Sequence, residues 1–337
     1  MVVRRLTYII LFRHLCHTCF SYTAISAMKS SSAAIIATIF GEYITRISLH
    51  LASDGENEFQ KLSPSDLPRW LVKLMASLAL FLVLAIHSFH PWIGPRIQTA
   101  LTVIKVSLLL GIFFFAIVQG CRGYMPEESR DAFLSLGHLM RGPTWDLGSY
   151  ALALYSGLWA YDGWDQATFV TGEMKNPSRS VSMALPLSIM TVIILFFTTV
   201  LSYFVLLPPA IVIRTNSFAL DFGLMTNGAV GAIVFTSFVA FSCIGALNAH
   251  LYTYSRLTAA AAREGFLPQV FGRLNTRFGT PLNALLLSSV LTLIFIIFGS
   301  GFASLVTFSS VCTWFWYGTT ALGLLVLRWR EPHLHRP

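Results

Sequence analysis

The fold class this chain predicts is an all-α polytopic membrane protein, and three observations predict it. Hydrophobic residues fill 55% of its 337 positions and charged residues only 11%, too little charge to cover a soluble surface. Mean hydropathy is +0.67. Apolar runs recur at the roughly 18–25 residues that cross a bilayer. The longest connecting stretches, 49–69 and 121–147, are too short for a soluble domain, so 1–337 reads as a single membrane domain. The formal net charge of +8 is not clustered with stacking aromatics, which argues against a nucleic-acid partner. It reads instead as charge along one membrane face.

Eight spans follow in order. The start has the outline of a signal peptide, with Arg4 and Arg5, then LTYIILF, then AISA. Arg13, His14 and His17 interrupt its apolar stretch, so it reads as the approach to a membrane helix. The spans lie near 20–48, 70–89, 97–120, 148–171, 184–207, 229–259, 280–299 and 302–327. Pro91, Pro95, Pro177, Pro208, Pro209, Pro268 and Pro281 fall at the joints, where proline ends helices. The connections at 175–179, 263–279 and 328–337 are basic, whereas 53–59, 125–133 and the stretch around Asp221 are mixed or acidic. The positive-inside rule puts the basic set, and with it both termini, on the cytoplasmic side. Cys16 and Cys19 form a CHTC beside His14 and His17, but no second ligand pair completes a tetrahedral site. No metal, cofactor or structural disulfide is predicted.

The fourth span carries the chemistry. In YSGLWAYDGWDQATFVTGEM, residues 155–174, Gly157 and Gly163 bracket Leu158, Trp159, Ala160, Tyr161 and Asp162. Glycine lets a helix unwind. Inside a bilayer, unwound backbone is tolerated only where it is buried in protein or lines a wet cavity. Such breaks hold zwitterions and ions, the freed amides facing carboxylate and the freed carbonyls facing cations. Asp162 and Asp165 are costly at that depth and Trp159 can close over an ammonium group. The other reading is a glycine-rich packing face with interfacial tryptophans. Two carboxylates and three aromatics within ten residues favour the binding segment. Lys105, in the middle of TALTVIKVSLLLG, is a second costly charge. It reads either as a coupling residue or as a lysine held by the carbonyls of a neighbouring helix. No HExxH, no GxSxG and no paired His–Asp helix supports an enzyme.

Residues 153–181, ALYSGLWAYDGWDQATFVTGEMKNPSRSV, resemble the sixth transmembrane segment and following loop of L-type amino acid transporters, within the amino acid–polyamine–organocation superfamily. CIGALNAHLYTYSRLTAAAAREGFLP, 243–268, resembles that family's eighth segment, and LRWREPHLHRP the end of the tenth. The form YDGWDQ is most similar to fungal members. The resemblance implies a LeuT-like inverted-repeat fold in which this chain supplies segments 3–10, truncated at both ends. Residues 1–120 would be a partial first repeat and 148–327 the second. The implied activity is secondary transport of neutral or broadly chosen L-amino acids by alternating access, through exchange or proton coupling. The alternative is a non-transporting truncated paralogue or fragment that lacks segment one, whose own break binds the substrate carboxylate.

The resemblance also assigns roles. It implies substrate contact for Trp159, the aromatic gate, with Ala160, Asp162, Gly163 and Trp314, and for Asp165, where relatives often carry Asn. Ser242, Ala246 and Asn248 fall near the expected pocket on segment eight. Lys105 matches a segment-five lysine that couples protons or braces the site in some relatives. Glu173, Asn176, Pro177 and Arg179 form the loop after segment six, with a gating or folding role. Animal members bond to a heavy chain through a cysteine between segments three and four. The loop 49–69 has none, so no disulfide-linked heavy chain is expected. The expected location is the plasma membrane, with the vacuolar membrane as the other choice.

Overall fold

The structure, a computed structural model, describes residues 16–52, 67–89, 93–134, 145–208, 211–212, 217–299 and 301–333. The expectations resting on Arg4, Arg5, Arg13 and His14, on the acidic stretch 53–59, on most of the loop 49–69 and on 334–337 lie outside the described residues.

The described chain is all-helical. Among the described residues, six helices are long and apolar enough to cross a membrane. The first, α1, spans Cys16–Leu49. It contains a π-helical turn at Ala24–Met28, after which the regular helix runs Lys29–Ala52. Then come α2 (Arg69–Phe89) and α3 (Ile93–Cys121), followed by the short surface helix α4 (Glu127–Leu134). The fourth expected span is split into α5 (Leu147–Ala160) and a 3-10 helix (Trp164–Glu173). The chain continues through α6 (Pro177–Leu206), α7 (Phe218–Arg263), α8 (Leu282–Phe298) and α9 (Phe302–Arg330). Thus all eight expected spans have a helical counterpart, but the fourth is split and two others depart from a long straight rod. α8 has only 17 residues, or about 26 Å of rise. α7 is two helices joined across a kink at Asn227 and Gly228. Its first piece holds Asp221, which the sequence reading had placed in a loop.

Helical periodicity sets what is inside. α2 buries Val72, Ala76, Ala79, Leu80, Val83 and His87, a stripe at three- and four-residue spacing. Trp70, Leu74, Leu78, Phe81 and Leu82 point outward, as a lipid-facing surface should. The central cluster joins Ala33, Ala34 and Ala37 of α1 to Ala76 and Leu80 of α2, Leu247 and Leu251 of α7 and Leu285 of α8. Small residues allow this close packing where no hydrophobic gain from water drives it. Gly41 marks one close approach of α1 to α2: a Cβ there would lie 2.3 Å from the Val72 carbonyl oxygen.

α1 is the most enclosed of the six long spans and packs against α2, α7, α8 and α9. It is also polar inside, burying Lys29, Ser30, Ser31, Ser32, Thr45 and Arg46. Ring contacts tie one end of the bundle together. His17 at the start of α1 meets Phe266, and Phe89 at the end of α2 meets Phe278, at centroid separations of 6.0 and 6.3 Å. The basic 263–279 connection therefore lies at the same end as both. At the opposite end, Ser129 of α4 donates to the Leu207 carbonyl at 3.1 Å, and Lys73 of α2 donates to the Ile297 carbonyl at 2.6 Å.

Candidate functional site: the break after α5

α5 begins with a well-made cap. The Asp146 carboxylate accepts from the Gly148 and Ser149 amides at 3.1 and 3.0 Å, and from the Ser149 hydroxyl at 2.7 Å. The Ser149 hydroxyl first, then these amides, hold the Asp146 carboxyl below its ordinary value. The α-helix ends at Ala160, and its last turn tightens as Tyr161 and Asp162 donate to the Leu158 and Trp159 carbonyls at 3.2 and 3.1 Å. Gly163 then takes φ 104°, ψ 0°, a left-handed conformation that a side chain would strain. The chain resumes as a ten-residue 3-10 helix. The backbone therefore departs at 161–163. Gly157, expected to open the break, sits inside regular α5, because a lone glycine weakens a helix without ending it.

Two cavities flank the break. One, of about 610 Å³, is lined by Ala160, Tyr161, Asp162, Gly163 and Trp164 of the break, by Trp314 of α9 and by Ser188 and Val192 of α6. The other, of about 760 Å³, holds Lys105 of α3 and Ser242 of α7, and shares Ala160, Ser188 and Val192 with the first. The structure thus gathers Ala160, Asp162, Gly163, Trp314, Lys105 and Ser242 around one region. The Tyr317 hydroxyl donates to Asp162 Oδ1 at 3.1 Å. Its ring contacts those of Trp164 and Trp314 at 5.0 and 5.5 Å, giving the cavity an aromatic wall around a carboxylate.

The remaining expected residues lie elsewhere. Trp159 packs edge-on to Phe302 at 6.0 Å and against Ile35, Leu305 and Val306. Ala246 lines neither cavity. Asn248 is buried and donates to the Gly94 carbonyl and to Gln98 Oε1, both at 3.1 Å. Asp165 is buried away from both cavities, with Oδ2 2.8 Å from Lys29 Nζ. His250 Nε2 must donate to the Lys29 carbonyl, at 2.8 Å, leaving Nδ1 to accept from Gln166 at 3.4 Å.

Lys29 and Tyr317 were missed in the sequence. Lys29 could have been found, since it is a lone charge in an apolar run, the signal that singled out Lys105. Tyr317 carries no such signal, because tyrosine is ordinary in a membrane helix. Among the described residues, no three of His, Cys, Asp and Glu come together as a metal site would require.

This arrangement suits a polar guest held at a broken helix. The amino acid permease family matches residues 7–337. The chain belongs to that family. It is 32% identical to the b(0,+)-type amino acid transporter 1 of Oryctolagus cuniculus over 318 residues, 94% of this chain and 61% of that protein. It is 30% identical to the human Asc-type amino acid transporter 1 over 323 residues, 94% of this chain and 57% of the relative. It is also 30% identical to the human cystine/glutamate transporter over 312 residues, 92% of this chain and 57% of the relative. The chain thus spans about three fifths of the length of the curated relatives it matches. These permease relatives are named as transporters, which agrees with the absence of an enzyme motif.

Proposed function

We propose that this permease is a secondary transporter of L-amino acids that works by alternating access, with the break at 161–163 as its substrate site. The observation that carries the reading is the coincidence of Gly163 in a left-handed turn with a cavity lined by Asp162, Trp164 and Trp314. The carboxyl end of α5 presents partial negative charge, and Asp162 adds a full one beside it. Together they suit the ammonium group of an amino acid. Trp164, Trp314 and the aliphatic α6 wall suit an uncharged or mixed side chain. Lys105 and Ser242 line the cavity across the shared wall at Ala160, which supports a role in sensing or bracing the loaded site. Exchange for an internal amino acid and cotransport of a proton are the two couplings proposed, with Lys105 as the residue for the second. Asp162 and Lys105 are costly charges in a bilayer, and a functional role accounts for both.

The basic connections at one end of the bundle support a cytoplasmic placing of that end, and the plasma membrane is the proposed location. The test is uptake of a radiolabelled L-amino-acid mixture into liposomes holding the purified chain, with and without an internal amino-acid load. Load-stimulated uptake is expected and supports exchange. Uptake driven by an inward proton gradient but indifferent to load supports proton coupling. No uptake from well-folded protein contradicts the proposal and favours a non-transporting permease.

A further inference from the structure

We infer that Lys29 is a positioning residue for the helix break: it supplies the counter-charge that holds the 164–173 turn against α1, and Asp165 serves the break through that pair rather than by touching substrate. Its functional consequence rests on the proposed substrate site, whereas its physical part does not. The two side chains lie 136 residues apart in sequence, 2.8 Å apart in space, and are 7% and 11% exposed. A lone charge at such a place is costly and a close pair offsets much of the cost. Neither residue lines the two cavities at the break, although Asp162, three residues before Asp165, lines one of them. The pair therefore stands behind the site rather than in it.

The backbone that carries Lys29 is itself held in place. It follows the π turn directly, and its amide closes that turn on the Ala24 carbonyl. A π turn displaces carbonyls from the helical ladder. Here the Ile25 carbonyl is met by the Ser30 hydroxyl at 2.6 Å and by the Tyr254 hydroxyl from α7. His250, one turn earlier on α7, donates to the Lys29 carbonyl. The receiving side is a 3-10 helix, a form that rarely persists beyond ~3–4 residues unaided. Its packing is onto α6 and α7, so the ion pair adds a tie to α1. Gln166 is held in turn, donating to His250 and accepting from Thr253 at 3.3 Å. The Lys29 ammonium also lies 5.0 Å from the centre of the Phe169 ring, one helical turn further on. Residues 165, 166 and 169 are thus all gathered around Lys29 and His250.

The test is a melting cycle on the purified chain in detergent, comparing Lys29→Met, Asp165→Asn and the double variant. Each single variant should melt below the parent, and the double should melt above both singles, because removing both charges leaves neither stranded. Failure of the singles to accumulate while the double accumulates gives the same answer. Additive losses, or a double that accumulates no better than the singles, overturn the pairing. The same proteins are then assayed for uptake of the radiolabelled L-amino-acid mixture. The singles should fall at least tenfold and the double should return to within threefold of the parent. A double that is stable but inactive overturns the positioning role, because one of the charges must then be needed by the substrate itself. If the parent shows no uptake, the transport proposal fails, and the melting cycle still decides the pair.

Discussion

At the residue scale, the account turns on how a carboxylate is made tolerable inside a membrane bundle. Asp162 and Asp165 sit three residues apart and meet different fates. Asp165 turns toward a buried lysine, whereas Asp162 opens into a cavity with a tyrosine hydroxyl as its donor. That donor can be removed with little change of shape. Tyr317→Phe should reduce uptake about tenfold, since a hydrogen bond to a charged group contributes about 1.5–3 kcal/mol. Steady-state uptake against substrate concentration checks this, and an unchanged curve would remove Tyr317 from the site. Lys105 belongs to the same scale. If it carries the coupling proton, Lys105→Ala should flatten the dependence of uptake on external pH while leaving exchange intact; a parental pH profile excludes it. Asp162 and Lys105 stand out as candidates in the sequence because a charge in an apolar run is visible there, whereas Trp314 and Ser242 come only through the family resemblance. The partner of Asp165 could not be read there, because a contact across 136 residues depends on tertiary packing.

At the element scale, the sequence pattern bracketed the break of the fourth span between Gly157 and Gly163, and the backbone departs only at the second of them. Gly157 and Gly163 look alike in sequence. Only Gly163 takes a positive φ, and what distinguishes it is the turn that follows rather than the residue itself. A Cβ at 163 would be strained by about 1–2 kcal/mol and would approach the Gln166 amide at 3.3 Å. Gly163→Ala should therefore lower both melting temperature and uptake, whereas Gly157→Ala, with open space beside it, should leave melting unchanged or raise it slightly. Equal effects at the two positions would contradict the placing of the break. The other end of α5 makes a pH prediction. Because the Asp146 carboxyl is depressed in the folded protein, its capping is present above the ordinary aspartate value of about 3.9. It is lost as pH falls through the lower folded value. Protection of the Gly148 and Ser149 amides, taken relative to their intrinsic exchange rates at each pH, should fall only in that acid range, and Asp146→Ala should lack it throughout. The kink of α7 at Asn227 and Gly228 was hidden for a different reason. The short helix before it is anchored by Gly223 lying against Gly231, a backbone contact with no hydropathy signal.

At the scale of the whole molecule, composition alone was enough for the class, since a chain with this little charge must find its solvent in lipid. The order of the helices also followed from run length, although six rather than eight of them are long and apolar enough to cross a membrane among the described residues, and the family followed from three ordered blocks. The packing order did not follow. That α1 is the enclosed helix, lined with serines and a lysine, could not be seen in a span whose polar residues weaken its hydropathy. Ser30 and Lys29 meet Tyr254 and Asp165, partners on α7 and in the break, and not lipid. The central claim is that the break at 161–163 is an amino-acid site. Equilibrium binding of radiolabelled L-amino acids to the purified chain, with Asp162→Asn measured alongside, tests it most directly. The account predicts saturable binding that is competed by L- but not D-amino acids and weakened at least tenfold by the substitution. Binding that is unsaturable, indifferent to stereochemistry or equal in the two proteins would contradict it.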